Sequence, residues 1–205
     1  MQAAATPATW LDAIPAFTWS VWARQTARPV VGGLFTKFVS SGLQTSFFSF
    51  SDDGLYLRIN SAVSGGTVSI NTVSLMPAGV WKHLVAVYDG TLIGNTQRAK
   101  IYIDGKLTAA LNSGGVVPAL TDNHDVSAGS VVPLVLGRYL DTSPTSWVGA
   151  LDDMRVYTRA LSATEVLALY VNSRLGYPGL LRQIPLSTIG PSVVATPPRG
   201  RSQIF

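Results

Sequence analysis

The stretch from Gly149 to Tyr170, GALDDMRVYTRALSATEVLALY, constrains the chain more than any other. Its first half alternates side chains as a strand does, and its second half repeats apolar residues at helical spacing, so one joint turns a strand into a short helix. Ser162 is placed to cap that helix. Glu165, three residues on, completes a Ser-x-x-Glu capping box, in which the hydroxyl accepts from the amide near Glu165 and the carboxylate reaches back to the amide of Ser162. Val166, Leu169 and Tyr170 then share one face. A strand that ends in a capped amphipathic turn, late in a chain that otherwise reads as strands, is a closing clasp.

What it closes follows from the preceding residues. From Phe17 the alternation is clean: Phe17, Trp19, Val21 and Ala23 point one way and Thr18, Ser20, Trp22 and Arg24 the other, a half-buried strand. The Gly32-Gly33 break leads to a strand from Leu34 to Val39, and Gln44 to Phe50 forms the next. Ser51-Asp52-Asp53-Gly54 reads as a hairpin turn into Leu55 to Asn60, since Asp-Gly tolerates positive φ. Val68 to Val73 follows, then Trp81 to Tyr88, the most continuously apolar run and so a central strand. Ala99 to Ile103 and Lys106 to Leu111 flank Asp104-Gly105, the sharpest hairpin signal in the chain. Residues 112 to 133 read as loop, Leu134 to Gly137 as a strand, and the glycine pairs at 32, 65 and 114 as turns. About ten short strands at regular spacing predict an all-β, two-sheet antiparallel sandwich with one short C-terminal helix and an extended tail.

Composition removes several classes of function. The 205 residues contain no Cys and only two His, His83 and His124, far apart in sequence, so disulfides, thiolate metal sites and a transition-metal cluster are not expected. Met1 to Ala16 carries no basic residue ahead of an apolar run, and no window approaches a membrane span, so neither a secretory signal nor a membrane partner is expected. The net charge of +4 is localised: residues 1 to 165 carry 11 basic and 11 acidic groups, while Arg174, Arg182, Arg199 and Arg201 follow the last acid. The excess belongs to the tail, and four Arg without interleaved aromatics are a weak nucleic-acid footprint, so no direct nucleic-acid partner is expected.

Five segments in order carry a resemblance: Phe17 to Trp22, Trp81 to Gly90, Ile101 to Lys106, Leu136-Gly137, and Gly149 to Tyr170. Over residues 10 to 172 the chain resembles the laminin G-like, concanavalin A-like jelly-roll family. The resemblance implies two antiparallel sheets face to face and a non-catalytic binding or structural role. Trp19, Trp81, Asp104, Gly105, Asp152, Ser162 and Glu165 fall in those segments and are expected to be structural. Members begin with a strand about ten residues before the Phe-Thr-Trp segment; nothing in Met1 to Ala16 fits it. The place beside the clasp is therefore expected to be filled by these N-terminal residues, by the tail, or by a neighbouring chain. The division expected is an arm over 1–16, the sandwich over 17–172, and an assembly arm over 173–205 that contains five Pro and cannot fold alone.

The same superfamily includes retaining glucanases, which need two carboxyl groups about 5 Å apart. This chain has a single Glu, Glu165, committed to the capping box, and Asp152 and Asp153, adjacent on a strand, point to opposite faces, one expected to bond a loop and the other to face solvent. No Gly-x-Ser-x-Gly elbow is present and His83 reads as a packed sheet histidine, so no enzyme is expected. Some members bind calcium through rim-loop Asp. Asp52, Asp53, Asp122 and Asp125 have the right atoms for it, but turn geometry is the reading taken and no cofactor is expected. A saccharide platform would draw on Trp22, Tyr56, Tyr102 or Trp147, which alternation allows to face outward. Two functions follow from these residues. The first is a phage virion component, a capsid decoration or tail protein in a homo-oligomeric assembly, docked through Arg174, Tyr177, Arg182, Arg199, Arg201 and Phe205. The second is a carbohydrate-binding, lectin-like adhesion module at the cell surface.

Overall fold

Eleven strands and two helices make up the described part of the computed structural model, which comprises residues 11–27, 31–38, 44–51, 54–61, 65–72, 74–121, 134–139 and 146–174. One sheet holds five strands in the order β11 (Gly149–Tyr157), β1 (Ala16–Gln25), β6 (Lys82–Asp89), β7 (Ala99–Ile103) and β8 (Lys106–Thr108). The other holds six: β10 (Val135–Leu136), β2 (Val31–Phe38), β3 (Gln44–Ser51), β4 (Gly54–Asn60), β5 (Gly65–Asn71) and β9 (Leu111–Gly115). All pairings are antiparallel. A single helical turn, α1 (Asn95–Arg98), precedes β7, and α2 (Ala163–Ser173) follows β11.

The core lies between the sheets, and alternation decides who enters it. Phe17, Trp19, Val21 and Ala23 from β1, Leu84, Ala86 and Tyr88 from β6, and Ile101 and Ile103 from β7 meet Phe48, Phe50, Leu55, Leu57, Ile59, Val68 and Ile70 from the six-stranded sheet. Trp19 joins the layers, stacked on Phe17 at 4.4 Å and on Phe35 of β2 at 5.4 Å. Buried aromatic area of this kind is what a strand pattern with Phe and Trp every second residue exists to provide.

The face of β1 expected to meet solvent does not. Thr18, Ser20 and Trp22 are as buried as their inward neighbours. The reason is the clasp: the chain leaves β11, crosses the outer face of the five-stranded sheet, and lays Leu161 and Val166 on Val85, Val87 and Tyr102. Thr18 ties it down, donating from Oγ1 to the Arg159 carbonyl at 2.9 Å and accepting from the Leu161 amide at 3.0 Å. A strand covered on both faces reads as a continuous apolar run, and β6 lies between β1 and β7, the central position the sequence predicts.

The capping box forms as the residues require. Ser162 Oγ accepts from the Glu165 amide at 3.3 Å, and the Ser162 amide donates to Glu165 Oε2 at 2.8 Å. Arg159 donates to the other carboxylate oxygen at 2.7 Å. These contacts, Arg159 first and then the Ser162 donors, hold the Glu165 carboxyl at about 2, well below the ordinary range. The box therefore stays ionised into strong acid. The Asp104-Gly105 turn also has the predicted geometry, with φ of 52° and 76°, both positive as the tight hairpin demands. Gly105 also admits α2: a Cβ there would stand 3.0 Å from Leu167 and 3.1 Å from Tyr170.

Other expectations are corrected. Gly32-Gly33 and Gly65-Gly66 lie inside β2 and β5, and Gly114-Gly115 ends β9. Gly33 and Gly66 are needed for space, because backbone of Arg138 and of residues 116–117 passes where their side chains would be. Lys106 to Leu111 is not one strand: β8 ends at Thr108, and two Ala carry the chain across to β9 in the other sheet. The loop expected from residue 112 thus starts as an edge strand. Ser51 pairs with Gly54 as the hairpin reading requires, residues 52 and 53 lying outside the described set. Leu11, in the segment expected to be an N-terminal arm, is buried in the core. Its neighbours Asp12 and Ile14 are held by the Lys37 ammonium and by Thr121 respectively. Among the described residues nothing pairs with the outer edge of β11; the segments expected there, residues 1–10 and the tail, lie outside them.

Two substitutions test this account. Ser162→Ala should cost about 1 kcal/mol in urea unfolding through loss of the helix cap. Lys37→Met should cost about 3–5 kcal/mol, because it strands the Asp12 carboxylate in a site 3% exposed. Replacing both partners by apolar residues should recover most of that loss.

Candidate functional site

Two outer sheet faces compete to be the site, and their chemistry differs. Over the five-stranded sheet, α2 ends on an aromatic cluster. Trp22 stacks on Tyr170 at 5.8 Å and lies 5.3 Å from the His83 ring. The Trp22 indole donates to Ser173 Oγ at 2.8 Å, and Ser173 donates to the Leu169 carbonyl at 2.6 Å. His83 Nε2 and Ser20 Oγ are hydrogen-bonded at 2.9 Å, while His83 Nδ1 has no partner among the described residues. This is a serine–histidine contact with no carboxylate behind it, and both residues are 1% exposed.

Burial pushes the His83 imidazole down from 6.5 to about 4; Asp104 and Asp153 pull the other way and Arg155 assists the burial. The folded protein thus holds His83 neutral under α2. Unfolded chains take up its proton as pH falls through about 6.5, folded ones only near 4, so this contribution to stability is full above that window and lost across it.

The residues expected to be structural are placed as follows. Trp19 is in the core, and Trp81 is half-buried against Trp22 with the Arg24 guanidinium 5.2 Å from its ring. Asp104 accepts from Lys82 Nζ at 2.6 Å and from the His83 amide at 3.1 Å. Asp152 accepts from the Asp153 amide at 2.8 Å. Simple alternation fails at this pair, because β11 bulges there against β1 and Asp153 has φ of 47°. Asp153 bonds no loop; Arg155 grips it through two hydrogen bonds of 2.7 and 2.8 Å. Of the residues expected to meet a partner, Arg174 lies 5.9 Å over the Tyr170 ring. Tyr177, Arg182, Arg199, Arg201 and Phe205 lie outside the described residues, as do the loop carboxylates Asp52, Asp53, Asp122 and Asp125.

The six-stranded sheet turns a different face outward. Leu55, Leu57 and Ile59 of β4 point into the core, so Gly54, Tyr56, Arg58 and Asn60 point out. Beside them on β5, by register, stand Asn71, Ser69, Thr67 and Gly65. Tyr56 lies down along its strand over Gly54: a Cβ there would come within 2.7 Å of the Tyr56 Cζ and Oη. The ring thereby lies against Gly54 on the outer face of the sheet. Arg58 Nε donates to Asn60 Oδ1 at 3.0 Å. On the β2 side the trough is walled by residues 137–139, whose Arg138 carbonyl accepts from Thr36 Oγ1. Tyr139 stands near enough that the charge of Arg58 opposes the burial raising its phenol.

Of the four aromatics that alternation allowed outside, three are covered. Trp22 and Tyr102 lie under α2, and Trp147 packs in the core 5.2 Å from Phe50. Tyr56 alone of the four lies on a sheet face that no helix covers among the described residues. Arg58, Asn60 and Tyr139 were not singled out from the sequence. For the first two the signal was there, in the same alternation that places Tyr56.

The His83 linkage predicts that the thermal midpoint falls as pH is lowered from about 6.5 to about 4. His83→Gln should flatten the profile in that window, as read by scanning calorimetry at stepped pH.

Comparison with known proteins adds the family. No curated protein sequence matches the chain. Among solved structures, the carbohydrate-binding module (CBM40) of the Ruminococcus gnavus IT-sialidase bound to α2,3 sialyllactose superposes with a TM-score of 0.57 at 16% identity, over 77% of this chain and 84% of that one. The native heptameric SAP-like pentraxin of Limulus polyphemus gives 0.50 at 21%, over 78% and 71%. The receptor binding domain of botulinum neurotoxin mosaic serotype C/D gives 0.55 at 10%, over 79% and 37%. These likenesses concern the fold, a jelly-roll sandwich. The family model for the concanavalin A-like lectin/glucanases superfamily matches residues 2–167, a span that includes the N-terminal stretch in which no first strand was recognised. With four-fifths of its length in that match and the two-sheet jelly roll in its structure, the chain belongs to the concanavalin A-like lectin/glucanases superfamily.

Proposed function

We propose that this protein is a non-enzymatic saccharide-binding module whose ligand lies on the outer face of the six-stranded sheet. The observation that carries the reading is the Tyr56 ring laid over Gly54 beside Arg58, Asn60, Thr67, Ser69 and Asn71. A sugar ring has an apolar C–H face and a rim of hydroxyls. An aromatic ring with one face outward takes the first, and amides and hydroxyls at strand spacing take the second. The sialyllactose-bound neighbour supports the reading, because it binds a saccharide on the same fold. The sole Glu is engaged by Ser162 and Arg159, which supports a role without glycoside hydrolysis.

The virion component expected from the sequence gives way to the reading that stood second there. None of the three neighbours is a virion protein, and the tail on which that expectation rested lies, beyond Arg174, outside the described residues.

A glycan array followed by calorimetry on the strongest hit tests the proposal. Tyr56→Ala should weaken binding about tenfold, in keeping with the loss of one aromatic contact. Gly54→Ala removes no ligand contact but lifts the ring, and should weaken binding with the melting temperature little changed. Wild-type protein that binds no glycan, or variants that bind as well as it does, would reject the reading.

A further inference from the structure

We infer that the saccharide taken by this face is an anionic one, whose carboxylate or sulfate is received by Arg58; the inference rests on the saccharide-binding reading and adds the ligand's chemical class. It begins with where the charges lie. The six strands β10, β2, β3, β4, β5 and β9 contain no Asp or Glu, and their two cations are Lys37 and Arg58. Lys37 is fully buried and turns its ammonium to Asp12. Every other described acid, Asp89, Asp104, Asp152, Asp153 and Glu165, belongs to the five-stranded sheet, its hairpin or α2. Among the described residues the outer trough is therefore free of acids and holds Arg58.

Several other cations in the described structure have an occupation, while Lys100 and Lys106 belong to the five-stranded sheet and Arg138 is engaged elsewhere. Lys82, Arg155 and Arg159 are matched to Asp104, Asp153 and Glu165. Arg98 donates to the carbonyls of Leu92 and Val117, and Arg24 and Arg174 lie over aromatic rings. Arg58 makes one hydrogen bond, through Nε to Asn60, and no ion pair among the described residues. Among the described residues no carboxylate stands beside this half-buried guanidinium to offset its desolvation.

The hydrogen bond it does make prepares it for a ligand. Asn60 is 7% exposed, and its Oδ1 occupies the space a side chain at Gly65 would need, so the acceptor is fixed. Holding Nε leaves both Nη groups as donors at the tip. That is the fork which fits the two oxygens of a carboxylate or sulfate. Thr67 stands directly opposite on β5, and Tyr56 is two residues away on the same face, at the distance of an adjoining sugar ring. With Arg58 on the strands and Arg138 in the wall as its cations among the described residues, the trough suits one oxyanion on a saccharide. It does not suit a polyphosphate backbone, which is tracked by many cations.

The test prints neutral, uronate-bearing, sialylated and sulfated glycans on one array, and measures the best acidic hit and its neutral counterpart by calorimetry from 50 to 500 mM KCl. The acidic ligand should bind about 10- to 100-fold tighter at low salt, the range for a charge-assisted hydrogen-bonded pair, and the ratio should shrink as salt rises. Arg58→Gln should abolish the ratio and keep the neutral affinity, while Tyr56→Ala should weaken both ligands alike. Uronate and sialate against sulfate on the array tell which oxyanion is preferred. Neutral glycans bound as tightly as acidic ones, a ratio indifferent to salt, or a ratio untouched by Arg58→Gln would overturn the inference and leave the saccharide reading standing. Absence of binding to every glycan would remove both.

Discussion

The docking of α2 on the outer face of the five-stranded sheet is the contact on which the rest of the molecule depends. It gives that sheet a second buried face, built from Val85, Val87, Tyr102, Leu161 and Val166 and continued by Trp22 and Tyr170. An asymmetry follows. One sheet is apolar on both sides and carries the acids and their partners around its rim. The other is apolar on its inner side, and among the described residues its outer side keeps hydroxyls, amides, the Tyr56 ring and a guanidinium, Arg58, with no ion pair. On the proposed reading, recognition falls to the sheet that the clasp does not cover.

Two buried polar devices keep that arrangement in register. The Lys37–Asp12 pair anchors the entering chain beside Leu11, and the Thr18 hydroxyl bonds both Arg159 and Leu161 where the chain crosses the sheet. Each joins residues distant in sequence, and each leaves a costly orphan if one partner is removed. His83 is a third buried polar group, with one ring nitrogen satisfied by Ser20 and the other without a partner among the described residues. Held neutral, it packs as an aromatic against Trp22 and Tyr170; charged, it would have no partner for the second proton. Protonation of His83 would therefore act against the docking of α2.

Much of this was legible in the residues. The strand-to-helix joint, the capping box, the Asp104-Gly105 turn and the inward residues of β1 are all local consequences of period and turn chemistry. The failures have a common cause. Gly33 and Gly66 were read as breaks because a single strand carries no sign of the backbone that will pass over it. β8 and β9 were read as one strand because a crossing between sheets leaves no mark in hydrophobicity when both ends are strand-like. The Asp152-Asp153 pair was assigned by alternation, which a bulge suspends.

The candidate face shows the same division. The sequence by itself determined that Tyr56, Arg58 and Asn60 share a side opposite Leu55, Leu57 and Ile59, since alternation is a property of the extended backbone. It equally placed Trp22 and Tyr102 outside. Only the tertiary structure decided which outside is open. A helix that is local in its making and distant in its target covers two of those aromatics, the core takes Trp147, and the face on which Arg58 has no counter-ion among the described residues arises from strands that meet only when the sheet is assembled.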